Sequence, residues 1–413
     1  MKTKEKSTAK QAVQKDGNEI ARIVVIGIGG GGGNAVNYMY THGIKGVEFY
    51  ITNTDKQVLS ISPIDESHRL ELGPKLTNGL GAGGNPEIGQ QAAIESKESL
   101  RDIVKGADLV FLSAGMGGGS GTGAIPQVAK ICKEEGALTV ACVTEPFTFE
   151  GRKRKDVASK GIEELIDAVD SLIIISNDNL ISLVGRKPIS EAFATCDDVL
   201  NTCVKSVSEL ITVPALINLD FADVKSVLFE RGRAFFGMGI ANGKEDVAIK
   251  AAKSAVSSPL LKHRLEGARS AIVSISGGPN MTLFDSEDVI STIEEATKAQ
   301  LEIIYGVNID ESLGDSIVVT LIATGYDDDE APTPLPMKIQ KTAVKEPVTI
   351  KEPEVTTTQD LKLDAMLNNT QQIYPPIGEG KKNEPMSIDY IRDVADKTFK
   401  EEDEKPRFFK KFF

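Results

Sequence analysis

Apolar and polar positions alternate between two regimes along most of this chain. Short, nearly unbroken apolar runs stand at Arg22–Ile28 (RIVVIGI), Val47–Thr52, Leu109–Leu112, Ala137–Thr144 and Ser171–Ser176 (SLIIIS). Runs of this length, bounded by turn residues, predict buried strands. Helical patterns lie between them: from Asn34 through about Tyr40, from Pro86 through about Ile103, and from about Thr122 to Glu135. Strands alternating with helices predict a doubly wound, Rossmann-like parallel sheet with its ligand at the strands' C-terminal ends.

The pattern then changes. Ile189–Thr212 contains neither Gly nor Pro, and Phe193, Cys196, Val199, Leu200, Cys203, Val207 and Leu210 make an apolar stripe at helical spacing. One long helix is predicted, ended by Pro214. Strand-like runs at Ala234–Ile240, Ser270–Ser276, Leu301–Val307 and Ser316–Thr324, with helical stretches near Lys244–Val256 and Asp285–Ala299, predict a second, smaller α+β domain. Residues 327–413 hold nine of the 18 prolines but two of the 38 glycines, and long apolar runs disappear there. That shift predicts a disordered linker over 327–400 and a distinct end segment over 401–413. The first 19 residues are polar and Lys-rich and predict a disordered extension. The predicted units are therefore 1–19, 20–188, 189–213 for the helix, 214–326, 327–400 and 401–413.

The net charge of −13 argues against a nucleic-acid partner. A polyanionic ligand would have to be held by local donors and metal. Cys132, Cys142, Cys196 and Cys203 form no C-x-x-C pair and read as free thiols in a reducing cytoplasm. His42, His68 and His263 are far apart and read as surface or packed residues. The polar N-terminus does not read as a signal peptide, and no apolar stretch approaches the length of a membrane span.

Candidate chemistry sits in the glycines. Ala107–Gly123 (ADLVFLSAGMGGGSGTG) runs from a strand through Gly115, Gly117, Gly118, Gly119, Gly121 and Gly123 into a helix, with Ser120 and Thr122 as hydroxyl donors. A strand, a glycine loop and a helix N-terminus make an anion site. No Lys lies between Lys105 and Lys130, so this is not the phosphate loop that places a Lys on the β- and γ-phosphates. Gly27, Gly29 and Gly32 fit G-x-G-x-x-G, a weak dinucleotide signal when alone. Asn53-Thr54-Asp55 ends the second strand and suits either a ribose hydroxyl or the surroundings of phosphate and metal. Leu76–Pro86 (LTNGLGAGGNP) is a third glycine loop. Three such loops, each expected at a strand-to-helix junction, suit a triphosphate wrapped on several sides.

GGGSGTG resembles the phosphate loop of the tubulin and FtsZ superfamily, with Ser120 where Thr is usual. The resemblance extends over about Ile20–Gly325 through GIGGGGGNAVN, ITNTD, GLGAGGNPEIG, AGMGGGSGTGA, PFTFEGRKR, NLDFADV, SSPLL and VTLIATG. It implies a GTPase that binds GTP or GDP with Mg²⁺ and polymerises head to tail into the ring of bacterial cell division. It places such a protein in the cytoplasm, at mid-cell beneath the inner membrane. It implies that Gly30, Gly31, Gly32, Gly33 and Asn34 lie near phosphates and base, that Gly117, Gly118, Gly119, Ser120, Gly121, Thr122 and Gly123 cradle phosphates, and that Gly81, Ala82, Gly83 and Gly84 face the γ-phosphate. Asn53 and Asp55 would lie beside them. Glu150 and Arg154 would contact the ribose, Phe193 would stack on guanine, and Asn177 and Asp197 would read its edge. A carboxylate at Asp197 suits guanine's paired donors. Asp220 and Asp223, with Asn218 in the same NLDFADV stretch, would be catalytic.

Geometry supports the last assignment. If Asp197 touches the base, Asp220 follows 23 residues later, mostly along one helix. At ~1.5 Å per residue that is roughly 30 Å, beyond any side chain's reach. The carboxylates could meet a triphosphate only on another subunit, and a head-to-tail interface of that kind generates filaments. The competing role, a helix N-cap, accounts for Asp220 and leaves Asp223 without a task. A nicotinamide-dependent oxidoreductase is the alternative if only G-x-G-x-x-G is weighed. The end segment EEDEKPRFFKKFF, with Phe408, Phe409, Phe412 and Phe413 beside Arg407, Lys410 and Lys411, reads as a docking peptide for membrane-anchoring and regulatory division proteins.

Overall fold

The computed structural model describes residues 21–326 except 185–187, 214, 244, 259, 261–266 and 298–300. The predicted N-terminal extension, linker and end peptide lie outside the described residues. The elements run β1 (Ile23–Ile28), α1 (Gly29–Thr41), β2 (Val47–Asn53), α2 (Lys56–Ser60), β3 (Arg69–Glu71), α3 (Pro74–Thr77), α4 (Pro86–Glu95), α5 (Lys97–Val104), β4 (Leu109–Gly115), α6 (Ser120–Glu134), β5 (Leu138–Glu145), α7 (Arg152–Ile166), β6 (Ser171–Ser176) and α8 (Asn177–Val184). They continue with α9 (Ile189–Thr212), α10 (Phe221–Leu228), β7 (Gly232–Asn242), α11 (Val247–Val256), β8 (Ser270–Gly277), α12 (Leu283–Thr297), β9 (Glu302–Ile309) and β10 (Ser316–Thr324).

The sheet order is β3-β2-β1-β4-β5-β6-β7-β10-β8-β9, and β1 to β6 are parallel throughout. Order reverses between β1 and β4, and in such sheets the crevice beyond that point holds the ligand. β1 and β4, in the middle of the sheet, are buried on both sides, which is why their sequences are almost continuously apolar. Ile23, Val25, Leu109 and Phe111 pack toward α1, α9 and α10. Val24, Ile26, Val110 and Leu112 pack toward α4, α5, α6 and α7.

Helix α9 has the predicted bounds. Its stripe Cys196, Val199, Leu200, Cys203, Val207 and Leu210 is buried, but Phe193 is 43% exposed. β7 joins the two halves: Gly232 pairs parallel with Ser171 of β6, while Asn242 at its far end pairs antiparallel with Ser316 of β10. Beyond β7, strands β8 and β10 close a separate core with α11 and α12, made of Ala251, Val273, Ile275, Val289, Val319 and Leu321.

Three expectations are corrected. The first glycine run is not a loop before a helix, because α1 begins at Gly29 directly after β1. The stretch from Pro86 does not run unbroken to Ile103; it breaks at Ser96. There Ser96 Oγ accepts from Gly73 N–H at 3.0 Å and donates to Glu71 C=O at 3.4 Å, a local competitor of helix continuity. The third glycine loop follows α3, not a strand, and is tied to the end of β2 by an isolated bridge between Asp55 and Leu80.

Candidate functional site

The glycines of the first and central loops divide by task. A Cβ on Gly32 would lie 2.0 Å from Ser113 O, and one on Gly123 would lie 1.9 Å from Pro86 O. These positions exist so that α1 can rest on β4 and α6 on α4. Gly121 is buried beneath Gly115 O and Ile28 O in the same way. A Cβ on Gly30, Gly33 or Gly118 would meet nothing within 4 Å, and Gly83 and Gly84 of the third loop are equally open. Gly31 faces the Gly115 backbone, which brings the first and central loops together across the switch point. The open positions, beside the unpaired first-turn N–H groups of α1 and α6, form a cradle of the kind phosphates occupy.

The hydroxyls of the central loop knit it together. Thr122 is buried, and its Oγ1 accepts from Gly117 N–H at 2.9 Å, so the predicted donor instead closes the loop on itself. Ser120 Oγ lies 2.6 Å from Thr54 Oγ1, which fastens the loop to the end of β2. Asn53 Oδ1 accepts from Asp55 N–H at 3.2 Å, and Asp55 Oδ1 caps α2 through Gln57 N–H at 2.9 Å. Ala82 is buried; a Cβ on Gly119 would lie 3.0 Å from its Cβ, and one on Gly81 3.7 Å from the Cβ of Asp55. The glycine start of α1 and the two glycine loops therefore converge on one crevice, with Asn34 exposed on α1 at its margin.

A second group stands at the ends of β5 and β6. Glu150 Oε1 accepts from Phe147 N–H at 2.9 Å, while Oε2 pairs with Arg154 at 2.6 Å. Phe147 stacks on Phe149 with centroids 4.9 Å apart and meets Phe193 edge-on at 5.5 Å. Asn177 opens α8 and is buried, yet its Oδ1 has no partner among the described residues. A buried amide oxygen of that kind needs a donor, and a purine edge offers one. Burial, with Asp198 adjacent, pushes the Asp197 carboxyl up to about 7. Asp198 is also raised by burial, against the Tyr38 hydroxyl that donates to its Oδ1 at 3.2 Å.

The predicted catalytic carboxylates stand elsewhere. Leu219 N–H donates to Leu210 C=O at 3.4 Å, placing Asp220 beside the last turns of α9. Phe193 marks the opposite end, and 17 residues of helix separate it from Leu210. At ~1.5 Å per residue, roughly 25 Å lies between them. Ile217 bridges to Val307 of β9, and Asn218 Oδ1 accepts from Ala215 N–H at 2.7 Å, so this segment is fixed to the second domain. Asp220 and Asp223 form a reciprocal capping box at the start of α10. The N-cap reading thus accounts for both residues, correcting the expectation that it leaves Asp223 without a task.

Sequence reasoning missed Thr148, Lys155 and Asp178, which bond one another beside Glu150. Thr148 and Asp178 are 30 residues apart, and no spacing rule links them. Among the described residues no group of three or more His, Cys, Asp and Glu side chains is placed to hold a metal ion. Magnesium at phosphate sites is held through one or two carboxylates plus the phosphates themselves, and Asp55 is the carboxylate where the loops meet. The four cysteines are free and buried, with Cys142 and Cys203 sulfurs 3.7 Å apart.

Residues 22–185 match the Tubulin/FtsZ family, GTPase domain, and residues 232–327 match the FtsZ family, C-terminal domain. Among solved structures, an FtsZ dimer from M. jannaschii is 41% identical over 75% of this chain and 89% of that one, with a TM-score of 0.70. A mutant FtsZ from the same organism is also 41% identical, over 74% of this chain and 92% of that one, with a TM-score of 0.71. CetZ2 from Haloferax volcanii, in a GTPγS-bound protofilament, is 21% identical over 75% and 95% of the two chains, with a TM-score of 0.64, a likeness of fold. The nicotinamide-dependent alternative gains no support from these matches.

Proposed function

The chain belongs to the tubulin/FtsZ family, and from that premise we propose that it is a GTPase that polymerises head to tail, cleaving GTP between subunits. The observation that carries this reading is the length of α9. Its first turns carry Phe193 and Asp197, beside Asn177 at the start of α8, while Asp220 and Asp223 at the start of α10 stand at its far end. Within one subunit the two sets cannot serve one nucleotide.

In this reading the triphosphate lies against Gly30, Gly33, Gly118, Gly83 and Gly84. The N-terminus of α6 faces its negative charge. Magnesium, bound with the triphosphate, supplies charge neutralisation at the phosphates. Asn177 and Asp197 accept from the guanine edge, Phe193 covers its face, and Glu150 and Arg154 stand at the ribose. The next subunit presents Asp220 and Asp223, which orient the attacking water and take its proton. A relative 41% identical is described as a dimer, which suits a protein that works between copies of itself.

We assign the filament to the cytokinetic ring, at mid-cell beneath the membrane, with residues 401–413 as its link to an anchor protein. Light scattering separates the readings: growth with GTP, reversal as GTP is consumed, and no response to GDP or NADH are the expected results. Scattering indifferent to nucleotide would overturn the proposal. A fluorescent fusion that stays diffuse in dividing cells would overturn the ring assignment alone.

A further inference from the structure

Asp178 follows Asn177 in the first turn of α8, yet its bonds leave that helix. Its Oδ1 accepts from Thr148 N–H at 2.8 Å, and its Oδ2 accepts from the Thr148 hydroxyl and from Lys155 Nζ at 2.9 Å. Lys155 Nζ also donates to Thr148 Oγ1 at 2.7 Å. One carboxylate therefore joins three backbone segments: the start of α8, the turn Thr148–Glu150 and the first turn of α7. Burial opposes its ionisation, but the Thr148 and Lys155 donors outweigh burial and hold it below the usual carboxylate range. The anchored turn carries Phe149 and Glu150 and follows Phe147, whose ring stands perpendicular to Phe193 of α9 with centroids 5.5 Å apart.

We propose that Asp178 is the positioning residue of the nucleoside end of the site, setting Glu150, Asn177 and Phe193 in register with one another. The proposal rests on the reading that those three side chains face the nucleoside. Asp178 itself spends both carboxylate oxygens on the turn and on Lys155, between the turn and α8. An unanchored turn would have to be ordered by the ligand at the moment of binding, which costs affinity. The phosphate cradle belongs to other loops and would not change.

The test is a binding titration on the full chain, with GTP and inorganic tripolyphosphate as separate probes. Hydrogen bonds to charged groups are strong enough that Asp178→Ala should weaken GTP about ten- to a hundred-fold. Tripolyphosphate affinity and kcat at saturating GTP should stay within about two- to three-fold, so the loss appears in KM. Asp178→Asn, still able to accept from Thr148 N–H, should fall between. Thr148→Val, which removes only the hydroxyl, should weaken GTP several-fold and carries the test if Asp178→Ala fails to fold. Equal losses for both probes would reduce Asp178 to general stability and overturn the proposal. So would unchanged GTP affinity in the Asp178 variants while Glu150→Ala and Asn177→Ala weaken it. If Glu150→Ala and Asn177→Ala leave GTP binding intact, the nucleoside assignment itself fails, and the role of Asp178 fails with it.

Discussion

Asp220 and Asp223 hold each other's backbone: Asp223 N–H donates to Asp220 Oδ1 at 2.8 Å, and Asp220 N–H donates to Asp223 Oδ2 at 3.3 Å. The pair starts α10 and presents its carboxylates together at the far end of α9. In the proposed mechanism a structural and a catalytic role coincide on the same atoms, and variants must be chosen to part them.

Asp223→Gln keeps an acceptor at the third helical position, where Glu or Gln completes a capping box. It should fold and assemble like the parent but hydrolyse GTP ~10²–10⁴-fold more slowly. Asp223→Ala should add a stability loss of about 1 kcal/mol from the broken cap. Thermal melts and turnover measured on both variants check this. Normal turnover in Asp223→Gln would leave the carboxylate with the cap alone.

GTP turnover per subunit should climb with protein concentration, because in the proposed mechanism the two halves of each site come from different chains. A dilution series at fixed excess GTP is the measurement. Constant specific activity across it would mean that one subunit carries the whole reaction.

In the proposed role of Asp197 at the guanine edge, its raised pKa, about 7, should make GTP binding pH-dependent. Guanine's donors need the carboxylate, so GTP affinity should fall as pH drops below about 7, by up to ten-fold per unit. The sign for the unliganded fold is opposite. A carboxyl raised in the folded state contributes stability that is fully present at acid pH and lost as pH rises through about 7. Asp197→Asn should flatten the GTP profile, and Asp197→Ala should lose preference for GTP over ATP before it loses tripolyphosphate. A GTP profile identical in parent and Asp197→Asn would remove Asp197 from the base site.

The glycines should separate into two phenotypes. Gly32→Ala and Gly123→Ala force a methyl to within 2.0 and 1.9 Å of backbone oxygens and should lower the melting temperature markedly. Overpacking typically costs 1–3 kcal/mol, and backbone cannot move aside cheaply. Gly30→Ala and Gly118→Ala meet nothing within 4 Å and should fold normally while weakening GTP. Loss of GTP binding without loss of stability in Gly123→Ala would contradict this division.

Truncation after Lys405 should leave turnover and filaments in solution unchanged and abolish recruitment to membranes carrying the anchor protein. The four phenylalanines among the last six residues offer apolar anchors, and Arg407, Lys410 and Lys411 offer a basic rim. Normal localisation of the truncated protein in cells would rule the docking role out.

The sequence by itself determined every strand but the short β3, and the bounds of α9, because these follow from hydrophobic period and from Gly and Pro, which act locally. It also marked the three glycine loops and the Asp220–Asp223 segment. It did not sort the glycines, since a glycine needed for helix packing (Gly123) and one left open (Gly118) are identical in the chain and differ only in what faces them. Nor did it show that Ser120 meets Thr54, that Phe193 leaves its buried stripe, or that Asp178 grips Thr148. Those outcomes depend on which loops the parallel sheet brings together at the β1–β4 switch point and at the ends of β5 and β6. Contacts between residues 30 or more positions apart carry no local signature, so only the tertiary structure decided them.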